Sequence, residues 1–460
     1  MSNKIGITYF LTNNLGGGGT NVSRFIEYTS LLNNSKIGLL LNYYYLNTNF
    51  RKPVEFDKKV LLNLIKYNDI NKFIQDTSNF FALDLKKVST SFAYTTPNWN
   101  PTVLLDSGSG NILRDISSNL SVDNSYIEIY KKIISEYHKF VDRLNIDMCI
   151  AFDFALKYTY KNNEGEDKIY QEIIQVFKND IEKNHLLLLL TLQEINNNEY
   201  KQKVYAPLHG ATPELFEEYL KKVLDTEKKF KRRFDGFAIG GIGDARRLNS
   251  KIWHIPDGTN SYIKTVLIIS TLVKKLKKIL KENNDTRPIH ILGAGGIKII
   301  SPLIFSGISS FDCHTPWRRA SDGNSESVQS LRTGVEVSGA EWSKFLVPLL
   351  NSKLEILPNK NVFSYQNINI LENSCNCDCP VCVHFNMKTI KKLYKGDIED
   401  NYFAKILLFI HAVWQYDFMI KKMEAINYDA NVFVNFIKSI KDEGYKNDLL
   451  YCVDYLIKLG

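Results

Sequence analysis

One pattern recurs along the chain and limits what it can fold into. A short apolar stretch ends in small, acidic or imidazole-bearing residues, and a polar segment follows it. Val103-Leu104-Leu105 runs into Asp106-Ser107-Gly108-Ser109-Gly110, Met148 to Phe152 into Asp153, and Val204 to Leu208 into His209-Gly210. Phe237-Ala238-Ile239 then leads to Gly240-Gly241, Ile289 to Leu292 to Gly293-Ala294-Gly295, and Ser309-Ser310-Phe311 to Asp312-Cys313. Helical periodicity fills several of the intervals, as over Pro213 to Val223 and Tyr262 to Leu280. Strands apolar on both faces, alternating with helices, belong in a parallel sheet. This many units in one chain predict a closed (β/α)₈ barrel, a TIM barrel, over an open doubly wound sheet. All strand tips of such a barrel face one mouth, so Asp106, Asp153, His209, Gly240-Gly241, Gly293 and Asp312 are expected to converge there.

Ile5 to Leu11 and Ile37 to Leu46 are further strand candidates near the N-terminus. Between them, Gly16-Gly17-Gly18-Gly19-Thr20 lacks the Gly-Lys-Ser/Thr of a phosphate-binding P-loop and reads as a loop. The spacer Thr159 to Tyr200 exceeds one ordinary crossover helix and predicts insertions, and Ser327 to Gln366 is expected to complete the barrel. The predicted division is therefore a barrel domain over residues 1–366 and a helical region over 367–460 packed on it. Helices are expected over Tyr402 to Met423 and Asn431 to Ile440.

That second region carries Cys377-Asp378-Cys379-Pro380-Val381-Cys382. Three thiolates so close together can wrap one tetrahedral ion, and His411, on the apolar run Ile406 to Ile410, can supply the fourth corner. Cys₃His is a closed structural zinc set. His384 competes with His411, and Cys375 could replace one thiolate. Four of the seven cysteines lie in this cluster, and the N-terminus shows no signal-peptide pattern. Both features predict metal binding in a reducing cytoplasm over a disulfide framework. No apolar run is long enough to span a membrane. The net charge of +8 is compatible with a polyanionic partner. Lys228-Lys229-Phe230-Lys231-Arg232-Arg233 and Lys274-Lys275-Leu276-Lys277-Lys278 could contact phosphates or form solvated helix faces.

Three carboxylates at one mouth can divide the work of nucleophile, general acid/base and substrate reader. In their order and spacing, Asp106-Ser107-Gly108-Ser109-Gly110, Ala151-Phe152-Asp153, Gly240-Gly241, Phe311-Asp312-Cys313 and the zinc pattern resemble the tRNA-guanine transglycosylase superfamily. The resemblance spans roughly residues 37–425. It implies base exchange at an N-glycosidic bond, with Asp312 as nucleophile toward C1′ and Asp106 as general acid/base. It also implies that Asp153 reads the N1 and exocyclic amine of guanine or a 7-deazaguanine, with Gly240 and Gly241 amides directed at O6. Ser107, Gly108, His209, Gly210, Leu292 and Gly293 would line the base site, and Arg318 and Arg319 would contact nucleic acid. The implied cofactor is a structural zinc.

Departures from the family pattern refine the expectation. His209 stands where the family has Gln, and Gly110 replaces an aromatic cover, leaving Leu292 as apolar cover on the other face. The missing Glu after Gly240-Gly241 favours the neutral nitrile base preQ0 over cationic preQ1. Arg318 keeps one anticodon-recognition position while Ser321 replaces a second. These changes favour the branch acting on DNA, with tRNA as the alternative substrate; a homodimer or helper protein is a further partner. A non-catalytic zinc-barrel subunit is the reading from a different class. A zinc nucleobase deaminase is excluded, because no His here is followed two residues later by Glu.

Overall fold

The computed structural model describes residues 7–12, 37–43, 102–112, 124–143, 146–154, 166–210, 212–240, 253–256, 259–294, 297–313, 413, 416–417, 419–439 and 443–459. Its centre is a closed barrel of eight strands in sequence order. They are β1 (Thr8–Thr12), β2 (Ile37–Asn42), β3 (Val103–Asp106), β4 (Met148–Ile150), β5 (Lys203–Leu208), β6 (Gly236–Ile239), β7 (Ile289–Ile291) and β8 (Ser310–Cys313). Every sequential pair from β1 to β8 is parallel, and the Thr8 amide donates to the Ser309 carbonyl at 3.2 Å across the closing seam.

The TIM barrel expected from the alternation is therefore present. It closes with the two N-terminal strand candidates and the six later ones, so no strand from 327–366 is required, contrary to expectation. The long spacer is also resolved differently. Its described part is mainly one helix, Glu166–Asn197 (32 residues), so the extra length extends a crossover helix.

Between the strands lie α1 (Ser109–Ile112), α2 (Asn124–Arg143), α3 (Glu166–Asn197), α4 (Pro213–Glu227), α5 (Ser261–Glu282) and α6 (Ile297–Ser306); α7 (Ala430–Lys438) and α8 (Glu443–Lys458) follow later. Local chemistry fixes where α4 begins. The Thr212 side chain accepts the Leu215 amide at 3.2 Å, and Pro213, which has no N–H to satisfy, opens the helix. The face of α4 that includes Leu215, Phe216, Tyr219, Leu220 and Val223 is buried.

Side chains alternate sides along a strand, and the barrel interior follows that parity. Phe10, Leu40, Leu104, Met148, Ile150, Tyr205 and Ala238 form one buried cluster, with Leu292 packed against it. Two residues beyond Leu40, Leu104 and Ala238 stand Asn42, Asp106 and Gly240, and four beyond Tyr205 stands His209. The apolar plug thus sits beneath a polar layer at the C-terminal ends of the strands.

Two compact units are distinguished: residues 8–294 with 308–312, and residues 1–7, 295–307 and 313–460. In the second, α6 packs against α8, Phe305 lies 4.8 Å from Phe433 between ring centroids, and the Ile7 amide donates to Glu424 at 3.2 Å. The expected boundary at 366 lies outside the described residues. No helix among the described residues is long and apolar enough to cross a membrane.

Candidate active site

Asp106 ends β3, and its register partner on β2 is Asn42. The Asn42 amide donates to Asp106 Oδ2 at 2.6 Å, and the Gly108 backbone N–H also donates to this carboxyl. Gly108 has φ +64°, a left-handed conformation that glycine adopts without a Cβ penalty. Burial, followed by the charges of Asp153 and Asp312, raises the Asp106 pKa to about 7, against the smaller opposing effect of the two hydrogen bonds. Asp153 and Asp312 are thus close enough to Asp106 to act on its proton. The convergence expected of three strand tips is a property of the folded chain.

Asp153, just beyond β4, is held from two sides. Ser109, the first residue of α1, donates its hydroxyl to Asp153 Oδ1, and His209 Nε2 lies 2.8 Å from Asp153 Oδ2. An ionised carboxylate only accepts, so that imidazole nitrogen carries the proton. His209 Nδ1 is buried with no hydrogen-bond partner among the described residues. The imidazole also borders Gly240: a Cβ there would stand 3.5 Å from His209 Cε1 and 3.2 Å from Leu292 Cδ1. Asp153, His209, Gly240 and Leu292 are therefore neighbours at this end of the barrel. Gly210 instead faces the first turn of α4, where a Cβ would meet Phe216 at 2.5 Å.

Asp312 is 5 % exposed on β8. Its Oδ1 accepts from the Gly293 backbone N–H at 2.9 Å and lies 3.3 Å from His290 Nε2. Gly293 has φ +69°, so each of the two acids expected to do chemistry receives a backbone N–H from a left-handed glycine. Ser107 is fully buried, and its Oγ accepts the Ser109 amide at 3.3 Å. The hydroxyl of Tyr137 on α2 donates toward the Leu105 and Ile150 carbonyls, at 3.0 and 2.9 Å. It ties together the strand ends that carry Asp106 and Asp153.

The structure thus gathers Asp106, Ser107, Gly108, Asp153, His209, Gly240, Leu292, Gly293 and Asp312 at one end of the barrel. Gly241, Arg318, Arg319 and the zinc candidates Cys377, Cys379, Cys382 and His411 lie outside the described residues. No group of His, Cys, Asp and Glu able to hold a metal occurs among the described residues. Asn42, Ser109 and His290 are contacts that the sequence reading did not single out. Strand parity carries a signal for Asn42, which lies at the end of β2 opposite Asp106, whereas His290, flanked by two isoleucines, carries none along the chain.

The basic cluster at 228–233 connects α4 to β6 at the N-terminal end of the strands, opposite the mouth. There Arg232 donates to the Tyr200 and Gln202 carbonyls at 2.7 and 2.8 Å, a structural use of its charge. Lys275 on α5 pairs with Glu217 at 2.9 Å, a helix-surface contact.

Comparison with known proteins gives this arrangement its setting. Residues 94–443 match the family model described as queuine tRNA-ribosyltransferase. The queuine tRNA-ribosyltransferase of Thermosipho africanus is 23 % identical over 337 residues, covering 72 % of this chain and 74 % of its own. That of Protochlamydia amoebophila is 26 % identical over 220 residues, covering 48 % and 43 %. That of Clostridium kluyveri is 22 % identical over 334 residues, covering 71 % and 72 %. With the family model matched over well more than half its length and a parallel eight-stranded barrel, the chain belongs to the queuine tRNA-ribosyltransferase family and is a glycosyltransferase of the pentosyltransferase class.

Proposed function

We propose that this enzyme exchanges guanine in a polynucleotide for a 7-deazaguanine through a covalent intermediate on Asp312. Asp312 attacks C1′ of the target nucleotide, the C1′–N bond breaks toward the base, and Asp106 protonates the departing nitrogen. The incoming base returns a proton to Asp106 and displaces the Asp312 ester, so two displacements give net retention. Asp153 reads the N1 and amino edge of the base, with His209, Gly240, Gly241, Leu292 and Gly293 around it. The target base must leave its stack to reach this site.

The observation that carries the reading is the buried Asp106 carboxyl, held by Asn42 and the Gly108 N–H near the charges of Asp153 and Asp312, with its pKa pushed up to about 7 chiefly by burial. A carboxyl poised there can give a proton in one half-reaction and take it back in the next. The partner Asp312, held by a backbone N–H, supplies the nucleophile. The separation of roles is what base exchange requires, and it speaks against a non-catalytic subunit.

DNA is the polynucleotide favoured, on the departures at His209 and Ser321, and preQ0 is the favoured incoming base. A second reading, exchange in tRNA, is supported by the names of the three relatives. Arg318 and Arg319 are proposed to contact the nucleic acid. Cys377, Cys379 and Cys382, with His411 or His384, are proposed to hold a structural zinc, since thiolates and one imidazole suit that ion. A reducing cytoplasm is the compartment proposed for such thiols. Incubating the enzyme with labelled preQ0 and either duplex DNA or bulk tRNA, then locating the label, tests the assignment. Label in neither polymer, or exchange undiminished in Asp312→Ala, would overturn it.

A further inference from the structure

We propose that His290 is a positioning residue for Asp312 that sustains the second displacement, in which the carboxylate leaves C1′. The inference rests on the nucleophile role proposed above and adds a residue to it.

His290 lies in the middle of β7 and is completely buried. Its register partner on β8 is Ser310, two residues before Asp312 and therefore on the same side of the strand. The imidazole bridges the two: Nδ1 is 2.9 Å from Ser310 Oγ, and Nε2 is 3.3 Å from Asp312 Oδ1. Toward an ionised carboxylate Nε2 must be the donor. In the neutral ring Nδ1 then accepts the Ser310 hydroxyl proton, which fixes the tautomer. Phe10 sets the ring angle by packing edge-on at 5.6 Å between centroids. At 3.3 Å the contact to Asp312 is long, as catalytic hydrogen bonds often are without substrate. A fully buried histidine, engaged at both nitrogens and touching this acid, does more than fill space.

Its consequence differs between the two half-reactions. When Asp312 attacks, negative charge leaves the carboxylate as the ester forms and the base departs with the electron pair and the Asp106 proton. When the incoming base attacks, it surrenders its N–H proton to Asp106. The ester C1′–O bond then breaks, and the electron pair returns to the Asp312 carboxylate. Gly293 N–H and His290 Nε2–H both meet Oδ1, so they stabilise that returning charge. Removing the His290 donor makes Asp312 a poorer leaving group, and the glycosyl-enzyme should accumulate.

The test uses the full-length enzyme with a guanine-containing DNA duplex and, in parallel, a tRNA transcript, with preQ0 as incoming base. Covalent adduct is measured after denaturing quench, alongside turnover. For His290→Phe the rate of preQ0-driven adduct breakdown should fall roughly ten- to hundredfold, the scale of one hydrogen bond to a charged group. The steady-state adduct fraction should rise. His290→Gln, whose amide can replace the Nε2 donor, should recover most of the rate. Ser310→Ala, which keeps the ring, should show a smaller change in the same direction and covers the case of a misfolded Phe variant. Adduct and turnover falling together in both His290→Phe and Ser310→Ala would overturn the proposal, as would unchanged adduct breakdown. If wild-type enzyme forms no adduct at Asp312 with either polymer, the nucleophile reading itself fails and takes this inference with it.

Discussion

The Asn42 side-chain amide donates to Asp106 Oδ2 at 2.6 Å across two strands that place these residues directly opposite one another. This contact favours the ionised form of an acid that burial and two neighbouring charges push toward the protonated form. Asn42 thereby trims the pKa of the acid assigned to proton transfer.

Replacing Asn42 by Leu should therefore raise the Asp106 pKa above about 7. The limb of the pH–rate profile that reports this acid should move to higher pH, by up to about one unit for one lost hydrogen bond. Profiles of kcat/KM for both enzymes check this; coincident limbs would remove Asn42 from the proton balance.

Asp106→Asn should abolish exchange yet stabilise the fold at alkaline pH. The native pKa lies above the ordinary carboxyl value of 3.8, so between these values the native state holds the proton that the unfolded state has lost. Wild-type stability consequently falls as pH rises through this window and then levels off. The Asn variant lacks that loss and should gain roughly 1–3 kcal/mol over wild type at pH 8, with little difference near pH 4. Denaturant unfolding at the two pH values measures it.

Gly293→Ala meets no atom of the described residues within 4 Å of the added carbon, so its cost comes from the backbone. An alanine held at φ +69° should cost roughly 1–2 kcal/mol. Relaxation of the turn would also move the N–H away from Asp312, so exchange should fall by more than the stability loss explains. Unfolding curves and turnover, measured on one preparation, separate the two effects.

Metal analysis should return about one zinc per chain, and Cys379→Ser should lose it, with a lower unfolding temperature. Stoichiometric iron, or no metal in purified wild-type protein, would contradict the proposed zinc ligand set.

Much of the barrel could be read from the chain because its strands are buried on both faces and spell continuous apolar runs. Met148-Cys149-Ile150 and Phe237-Ala238-Ile239, each followed by a small or acidic tip and alternating with helical segments, fit a parallel sheet. Asp106, Asp153 and Asp312 were legible as tips because each interrupts such a run. His290 was not, since a histidine between two isoleucines looks like any inward core residue until its neighbour on the next strand is known. Arg232 left two readings open, because a cluster of cations does not reveal which end of the barrel it reaches; its contacts to the Tyr200 and Gln202 carbonyls decide for a structural one.

By itself, the amino-acid sequence determined the strand-and-helix alternation and the acids at strand ends, since each follows from local residue chemistry. The tertiary structure alone decided which groups meet: Asn42 with Asp106, His209 and Ser109 with Asp153, His290 and Gly293 with Asp312. The physical reason is that a proton's affinity depends on burial and on charges brought near through space. Barrel closure, which joins residues far apart along the chain, is what sets those distances.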